Sequence, residues 1–329
     1  MIDDSRATAT VFITGGFGCV GAETAKWLIS NSVCDVVVGS RRISRERKRE
    51  VFGEAVSSRL KFAQVDVVDR PRLHATLVQY DVTHVLHLAG LETPDCNEHR
   101  DLGLQVNLAG TQRLIEAMKV SGRDLKRFVF ASSMAVYGRR SAYAAGGVPM
   151  HAEPNPVNVY GTWKLAGEHI SRLFYEETRV PTISVRPGAL SGPGRDLGLT
   201  ATPTTAMKHV AAGLPYEIPY HNRQDYLYAP DVGAAIAQCM VQPFDGYQAF
   251  TLPSHTVDSD TLVEAMRCAA IELGLASDPQ ISVGDKEVPF ICDVDFQPFL
   301  EAFPQAPHTP LKQATRQSID HFVSLGEHR

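Results

Sequence analysis

Short apolar runs recur along the first 186 residues, at Val11 to Ile13, Val36 to Val38, Leu60 to Phe62, Val85 to Leu88, Phe128 to Phe130 and Ile183 to Val185. Runs of this length, apolar without alternation, are what a parallel sheet covered on both faces requires. The segments Gly18 to Ser30, Pro71 to Gln79, Leu104 to Val120 and Val157 to Glu177 carry apolar residues at three- and four-residue spacing, as in Leu114, Ile115 and Met118. Pro71 suits a first helical turn. Strand and helix alternation of this kind predicts an α/β fold with a doubly wound parallel sheet over residues 1–186.

Beyond Arg186 the pattern changes, because Pro187, Gly188, Gly192, Pro193 and Gly194 interrupt regular structure. Helical spacing resumes at Asp231 to Met240, Ser259 to Leu273 and Leu311 to Leu325. Residues 187–329 are therefore expected to form a smaller C-terminal α/β lobe, partly interwoven, with a strand and helix near 225–245 returning to the first domain. A substrate pocket is expected in the cleft at the strand ends.

A chain of 329 residues has room for a large core without covalent staples. Its six cysteines form no CxxC pair, which predicts reduced thiols in a cytoplasmic protein and no structural zinc or other metal. The polar start Met1 to Arg6 lacks a secretory h-region, and no uncharged apolar stretch is long enough to span a bilayer. A net charge of −5 argues against nucleic-acid binding. The one basic run, Arg41 to Arg49, sits where a helix should start and reads either as a solvated face or as a local anion site.

Thr14-Gly15-Gly16-Phe17-Gly18-Cys19-Val20-Gly21 follows the first apolar run and opens the first helix. Glycines at 15, 18 and 21 leave backbone N–H groups open to a pyrophosphate at a helix N-terminus. The spacing is GxxGxxG, and a plain tight strand-to-helix turn is the competing reading. The second strand ends in Ser40-Arg41-Arg42, with no carboxylate for ribose hydroxyls. Guanidinium groups pair with a 2′-phosphate, which favours NADP while leaving NAD possible, since Arg41 stacked on adenine would accept either. Asp66 and Val67 are placed to meet the adenine, although Asp at a strand end is often only a turn former. Ala89 and Gly90 end the fourth strand with small residues that let the cofactor lie close, and Leu88 and Pro187 are assigned to the same site.

Tyr160 and Lys164 are four residues apart on a helical segment and so share a face. A tyrosine hydroxyl ordinarily ionises near pH 10. A neighbouring ammonium favours its phenolate and makes it a usable acid/base. Ser133 is expected to hold the substrate oxygen, with Ser132 as competitor on the other side of the strand. Asn107 is expected to fix the lysine through a water or through main chain.

The ordered set TGGFGCVG, DVVD, HLAG, VNLAGT, FASSMAVYG, YGTWK and VRPG resembles the extended short-chain dehydrogenase/reductases, the NAD-dependent epimerase/dehydratase-like group, from about Thr10 to the helix after Asp231. The resemblance implies a Rossmann fold, a nicotinamide cofactor, a Ser133/Tyr160/Lys164 site and a homodimer formed through Leu104 to Val120 and Val157 to Glu177. Nucleotide-sugar epimerases of this group usually begin an RDYxHxxD-like segment with a diphosphate-gripping arginine. Here the matching stretch starts at Gln224, and Arg223 lies one position away. The segment Val185 to Gly192 looks more like the branch that oxidises small substrates, such as threonine, uronate or erythronate dehydrogenases.

The favoured expectation is an NAD(P)-dependent oxidoreductase acting on a small sugar-derived alcohol, lactol or hydroxy acid. A nucleotide-sugar epimerase or dehydratase with retained cofactor is the first alternative, and a non-catalytic NADP-sensing binder the second. Glu92, Met134, Gly188, Arg223 and Tyr226 are candidate substrate contacts. His84 and His87, three apart on a strand, face opposite sides and are read as sheet residues. Cys96 is read as incidental, and Gly146-Gly147 with the stretch Pro149 to Pro156 as a lid or an ordinary surface loop.

Overall fold

The computed structural model describes residues 9–32, 34–275, 278–288 and 290–326, so the polar start read from Met1 to Arg6 lies outside the described residues. Its strands are β1 (Ala9–Thr14), β2 (Cys34–Ser40), β3 (Lys61–Gln64), β4 (His84–His87), β5 (Arg127–Ala131), β6 (Thr182–Arg186), β7 (Ala189–Ser191), β8 (Tyr216–Ile218), β9 (Arg223–Tyr228), β10 (Tyr247–Thr251), β11 (His255–Asp258) and β12 (Ile281–Val283). The α-helices are α1 (Cys19–Asn31), α2 (Arg45–Ser57), α3 (Arg70–Gln79), α4 (Thr93–Glu98), α5 (Arg100–Gly103), α6 (Gly110–Val120), α7 (Val159–Thr178), α8 (Thr202–Ala211), α9 (Ala229–Val241), α10 (Ser259–Glu272), α11 (Gln297–Ala302) and α12 (Leu311–Gly326). By compactness the chain divides into one unit of 1–132, 163–185 and 233–249 and a second of 133–162, 186–232 and 250–329.

A seven-stranded sheet runs in the order β10-β6-β5-β4-β1-β2-β3. Successive strands are added outward from β1 through β2 to β3, and then in the opposite direction from β4 through β5 to β6. The order therefore reverses between β1 and β4, and a crevice opens there at the carboxyl ends. Parallel register pairs Ile13 with Val38 on one side and with Leu86 on the other. Val11, Phe12 and Ile13 are all fully buried, because β1 is covered on both faces. On one face Phe12, Val37, Val85 and Phe128 pack with Leu73 and Leu77 of α3, Leu114 and Met118 of α6, and Phe174 of α7.

The expected helix over Leu104 to Val120 is two elements. Leu104–Ala109 is a π-turn, and α6 begins only at Gly110. Gly110 packs where a Cβ would meet Val67 Cγ2 at 2.9 Å, a close approach that apolar periodicity does not register. The basic run does open a helix, with Ser44 accepting from the Arg47 N–H at 3.1 Å as its cap.

The second unit holds a three-stranded sheet, β11-β9-β7, and a β12-β8 pair. Met207 and Val210 of α8, Leu262 and Met266 of α10, and Ile319 and Phe322 of α12 form its core. Among the described residues, no helix is long and apolar enough to cross a membrane, and no cluster of His, Cys, Asp or Glu is arranged to hold a metal ion.

Candidate active site

The glycine turn sits at the crevice where the strand order reverses. Gly15 has φ of +68°, and a Cβ there would lie 2.8 Å from the Ala89 nitrogen. At Gly21 a Cβ would meet the Gly16 Cα at 2.7 Å, so α1 starts hard against the turn. The turn after β4 is held from below by Thr14, whose hydroxyl oxygen accepts from the N–H groups of Leu88 and Ala89 at 3.2 Å each. Thr14 Oγ lies 2.7 Å from His87 Nδ1, His87 Nε2 lies 3.0 Å from Thr111 Oγ, and Thr111 donates to the Asn107 carbonyl at 2.8 Å.

The donors and acceptors along this chain fix the tautomer of His87. Thr111 spends its proton on a carbonyl, so it accepts from His87 Nε2–H, and bare Nδ1 accepts from Thr14. His87 is thus neutral, its pKa pushed down to about 3 by burial and then by the Lys164 charge. His84 points elsewhere, to Thr83 Oγ at 2.8 Å, and the two histidines form no pair.

A cavity of about 300 Å³ follows the turn. Thr14, Gly15, Phe17 and Gly18 line it, with Gly39 to Arg42, Val65 to Val67 and Ala89 to Leu91. Cys19 and Val20 form the first turn of α1 beside it. Arg41 and Arg42 are exposed at the cavity's edge. Arg47, which sequence reading does not single out, joins them with its guanidinium 4.9 Å over the Phe17 ring, and Phe17 packs on Phe52 and Phe62. Asp66 is the carboxylate in this lining and follows β3 rather than β2. Its Oδ1 accepts from the Val68 N–H at 3.1 Å, the turn-forming bond open to an Asp at a strand end. A glycine cradle without obstructing Cβ atoms, flanked by arginines, fits a dinucleotide.

Tyr160 and Lys164 lie one turn apart on α7. Tyr160 is half-buried. Lys164 is buried and donates to the Ala131 carbonyl at the end of β5, at 2.6 Å. Burial pushes its pKa down to about 8, against the opposing influence of Cys96, Glu92 and Glu168. Asn107 bonds main chain: its Oδ1 accepts from the Leu91 N–H at 2.7 Å and its Nδ2 donates to the Leu91 carbonyl at 2.9 Å. A Cβ on Gly90 would lie 3.4 Å from Asn107 Oδ1 and 3.5 Å from Lys164 Nζ, so these three residues converge.

The two serines diverge. Ser132 is buried and donates to Glu168, whereas half-buried Ser133 opens a 3₁₀ turn and accepts from the Ala135 N–H at 3.1 Å. Met134 N–H donates to the Pro187 carbonyl at 3.0 Å, and a Cβ on Gly188 would meet Met134 Sδ at 3.1 Å. Glu92 stands at the N-terminus of α4.

Arg223 is paired, its Nη2 2.9 Å and Nε 3.2 Å from Asp293 Oδ1. Asp293 Oδ2 also lies 3.7 Å from Arg140 Nε. Burial works upward on Asp293, but Arg223 and Arg140 hold its carboxyl below the usual range. Behind it buried Asp225 accepts from Thr256 Oγ at 2.5 Å and from the N–H groups of Asp293 and Val294 at 3.0 and 3.3 Å. Arg140, Arg223, Asp293 and Asp295 border an open cavity of about 440 Å³ in the second unit. Tyr226 is not among its lining residues. It is 1% exposed and packs in the core of that unit, β9 being buried on both faces at this point.

The model of the NAD dependent epimerase/dehydratase family matches residues 11–251. The chain belongs to this family. It is similar to dTDP-L-rhamnose 4-epimerase of Burkholderia thailandensis, 25% identical over 311 residues that cover 83% of each protein. It is also similar to D-erythronate dehydrogenase of Cupriavidus necator, 31% identical over 191 residues, 54% of this chain and 56% of the relative. Apart from the rhamnose epimerase, the chain spans about half the length, or less, of the first curated relatives it matches. It shares its fold with UDP-glucose 4-epimerase of Thermus thermophilus solved in complex with NAD, at a TM-score of 0.76 and 24% identity over 95% of this chain and 98% of that one.

For this epimerase/dehydratase family member, sequence reading passes over Arg47, Glu168, Arg140 and Asp293. Arg47 lies inside the basic run already noted, and Glu168 one further turn along the Tyr160/Lys164 face. Arg140 and Asp293 carry no local signal, since they meet only through pairing 153 residues apart.

Proposed function

We propose that this family member is a nicotinamide-dependent epimerase of a sugar or nucleotide sugar that keeps its cofactor through the cycle. The observation that carries the reading is Lys164, a buried ammonium anchored on the Ala131 carbonyl one helical turn from Tyr160. Such a cation favours the phenolate of Tyr160, which then takes the proton from a substrate hydroxyl as the C–H bond breaks. Ser133 holds that oxygen, and Asn107 keeps Leu91 and the turn after β4 in place beside it. When bound, the nicotinamide accepts the hydride and returns it. Tyr160 gives its proton back as the oxygen is reduced again, and configuration inverts if the carbonyl presents its other face. The 25% identity to a sugar 4-epimerase over most of both chains supports this choice.

A second reading, net dehydrogenation of a sugar-derived alcohol, lactol or hydroxy acid, is favoured by one feature. Gln224 stands where a diphosphate-gripping arginine is expected, and neighbouring Arg223 is engaged by Asp293. For the cofactor we propose a 2′-phosphate held by Arg41 and Arg42, since β2 ends without a carboxylate. A homodimer through α6 and α7 is the expected assembly, to be read by sedimentation.

Incubating enzyme with nucleotide sugars, aldoses and sugar acids, while following absorbance at 340 nm and product configuration together, separates the readings. An epimer formed without net absorbance change supports epimerisation, and stoichiometric change with added cofactor supports dehydrogenation. Tyr160→Phe should abolish turnover in either case while cofactor binding persists. An active Tyr160→Phe enzyme refutes Tyr160 as the acid/base in both readings, whereas a parent protein that binds cofactor but turns over none of these substrates returns the chain to a binding role.

A further inference from the structure

Glu168 is a buried carboxylate that the chemistry above does not use. It lies one turn beyond Lys164 on α7 and is 3% exposed. Its Oε1 accepts from Ser132 Oγ at 2.5 Å, while Lys164 Nζ donates to the carbonyl of Ala131, the residue just before Ser132. Consecutive residues at the end of β5 thus grip consecutive turns of α7. The Glu168 carbonyl in turn accepts from the Tyr247 hydroxyl of β10 at 3.0 Å, which fixes the same turn from a second strand. A carboxylate withdrawn from water is costly unless hydrogen bonds and an opposite charge offset the loss, and Ser132 and Lys164 supply them.

We propose that Glu168 is a positioning residue: bonded by Ser132, it fixes the turn of α7 that carries Lys164 against the end of β5 and places a buried carboxylate one helical turn from the lysine. The titratable groups that act on Lys164 include Glu168 on its own helix, Glu92 and Cys96 at α4, and His87 of β4. His87 is neutral, and burial raises the Cys96 thiol, leaving Glu92 and Glu168 as the carboxylates. Glu92 acts on Lys164 from the N-terminus of α4, where it is partly open to water, and Glu168 from one turn along α7, where it is buried. The proposal rests on Lys164 as the cation of the site, but it is tested on the lysine itself, apart from turnover.

Full-length protein labelled with ¹³C at lysine Cε is titrated by NMR, the Lys164 resonance being assigned by its loss in Lys164→Arg. Glu168→Gln keeps the shape and an acceptor for Ser132 but removes the charge. It should lower the Lys164 midpoint by at least about 0.5 pH unit, roughly a threefold change in the protonation equilibrium. Ser132→Ala keeps the charge and removes the bond, and should move the midpoint by less than half as much. A midpoint unchanged in Glu168→Gln overturns the proposal, as does Ser132→Ala moving it equally far. If Glu168→Gln does not fold, Glu168→Asp draws the charge back from Ser132 and should give a smaller drop, with no drop being the refuting result. An active Tyr160→Phe enzyme would by contrast remove Tyr160 from the reaction and leave this titration standing.

Discussion

His87 is buried as a neutral imidazole under the turn after β4, which makes acid the perturbation most damaging to the crevice floor. Protonating it would leave Nδ1–H facing Thr14, whose own proton already points at that nitrogen. Burial, then the Lys164 charge, pushes its pKa down to about 3. In the unfolded chain an imidazole takes up its proton at about pH 6.5. Because the folded value is the lower one, the full stability is present above that pH and is lost progressively as pH falls toward 3. At about pH 5 the loss from this one residue is about 2 kcal/mol, out of a total folding stability of roughly 5–15 kcal/mol. Half-buried His84, pushed down to about 4 by burial and by Arg127 and Lys126, adds a loss in the same direction and serves as an internal constant. Urea unfolding of the parent and of His87→Gln at about pH 7.5 and about pH 5 measures the difference. The variant should be less stable at the higher pH, and its stability should fall by about 2 kcal/mol less than the parent's on acidification. Equal losses in the two proteins, or a His87 ring resonance titrating near its ordinary value, would refute the neutral clamp.

Three further outcomes follow from the geometry. Gly15→Ala places a Cβ 2.8 Å from the Ala89 nitrogen at a positive φ, and should weaken dinucleotide binding at least tenfold by calorimetry, or roughly 1.4 kcal/mol. Arg41→Ala should raise the Kd for NADP by about tenfold, the worth of one charge-assisted pair, while NAD changes less than about threefold; a parent enzyme with clear NAD preference would contradict it. Asp225→Asn replaces a buried acceptor of three hydrogen bonds by a group that accepts with one oxygen, and should cost about 1–3 kcal/mol in denaturant unfolding.

What sequence alone reveals and what it withholds divide along the range of the interactions. The strands β1, β2, β4, β5 and β6 are legible because burial on both faces writes itself as a local apolar run, and their helices because a buried face repeats every three to four residues. The glycine turn and the one-turn spacing of Tyr160 and Lys164 on α7 are legible for the same reason, since each is a matter of residues within one loop or one helical turn. Three-residue strands such as β7, β8 and β12 are defined only by pairing with distant chain, so no local pattern announces them. The π-turn before α6 goes unseen because its apolar spacing is nearly that of an α-helix, and the burial of Tyr226, expected as a substrate contact, depends on packing between distant segments.

Arg223 shows how far this limit reaches into function. From sequence it is a lone arginine one position away from the expected diphosphate clamp, and a shift of one along a strand would turn it to the other face. Its state depends on Asp293, 70 residues further on. Asp293 is itself presented at φ of +60° because Asp225, one strand neighbour from Gln224, accepts from its backbone N–H. The same knot therefore orders β9, fixes the 292–295 segment and places a carboxylate against Arg223, so a diphosphate reaching this guanidinium has to compete with an ion pair already made. The Tyr160/Lys164 spacing is written in local sequence on α7, whereas the pairing of Arg223 is set by contacts between distant segments.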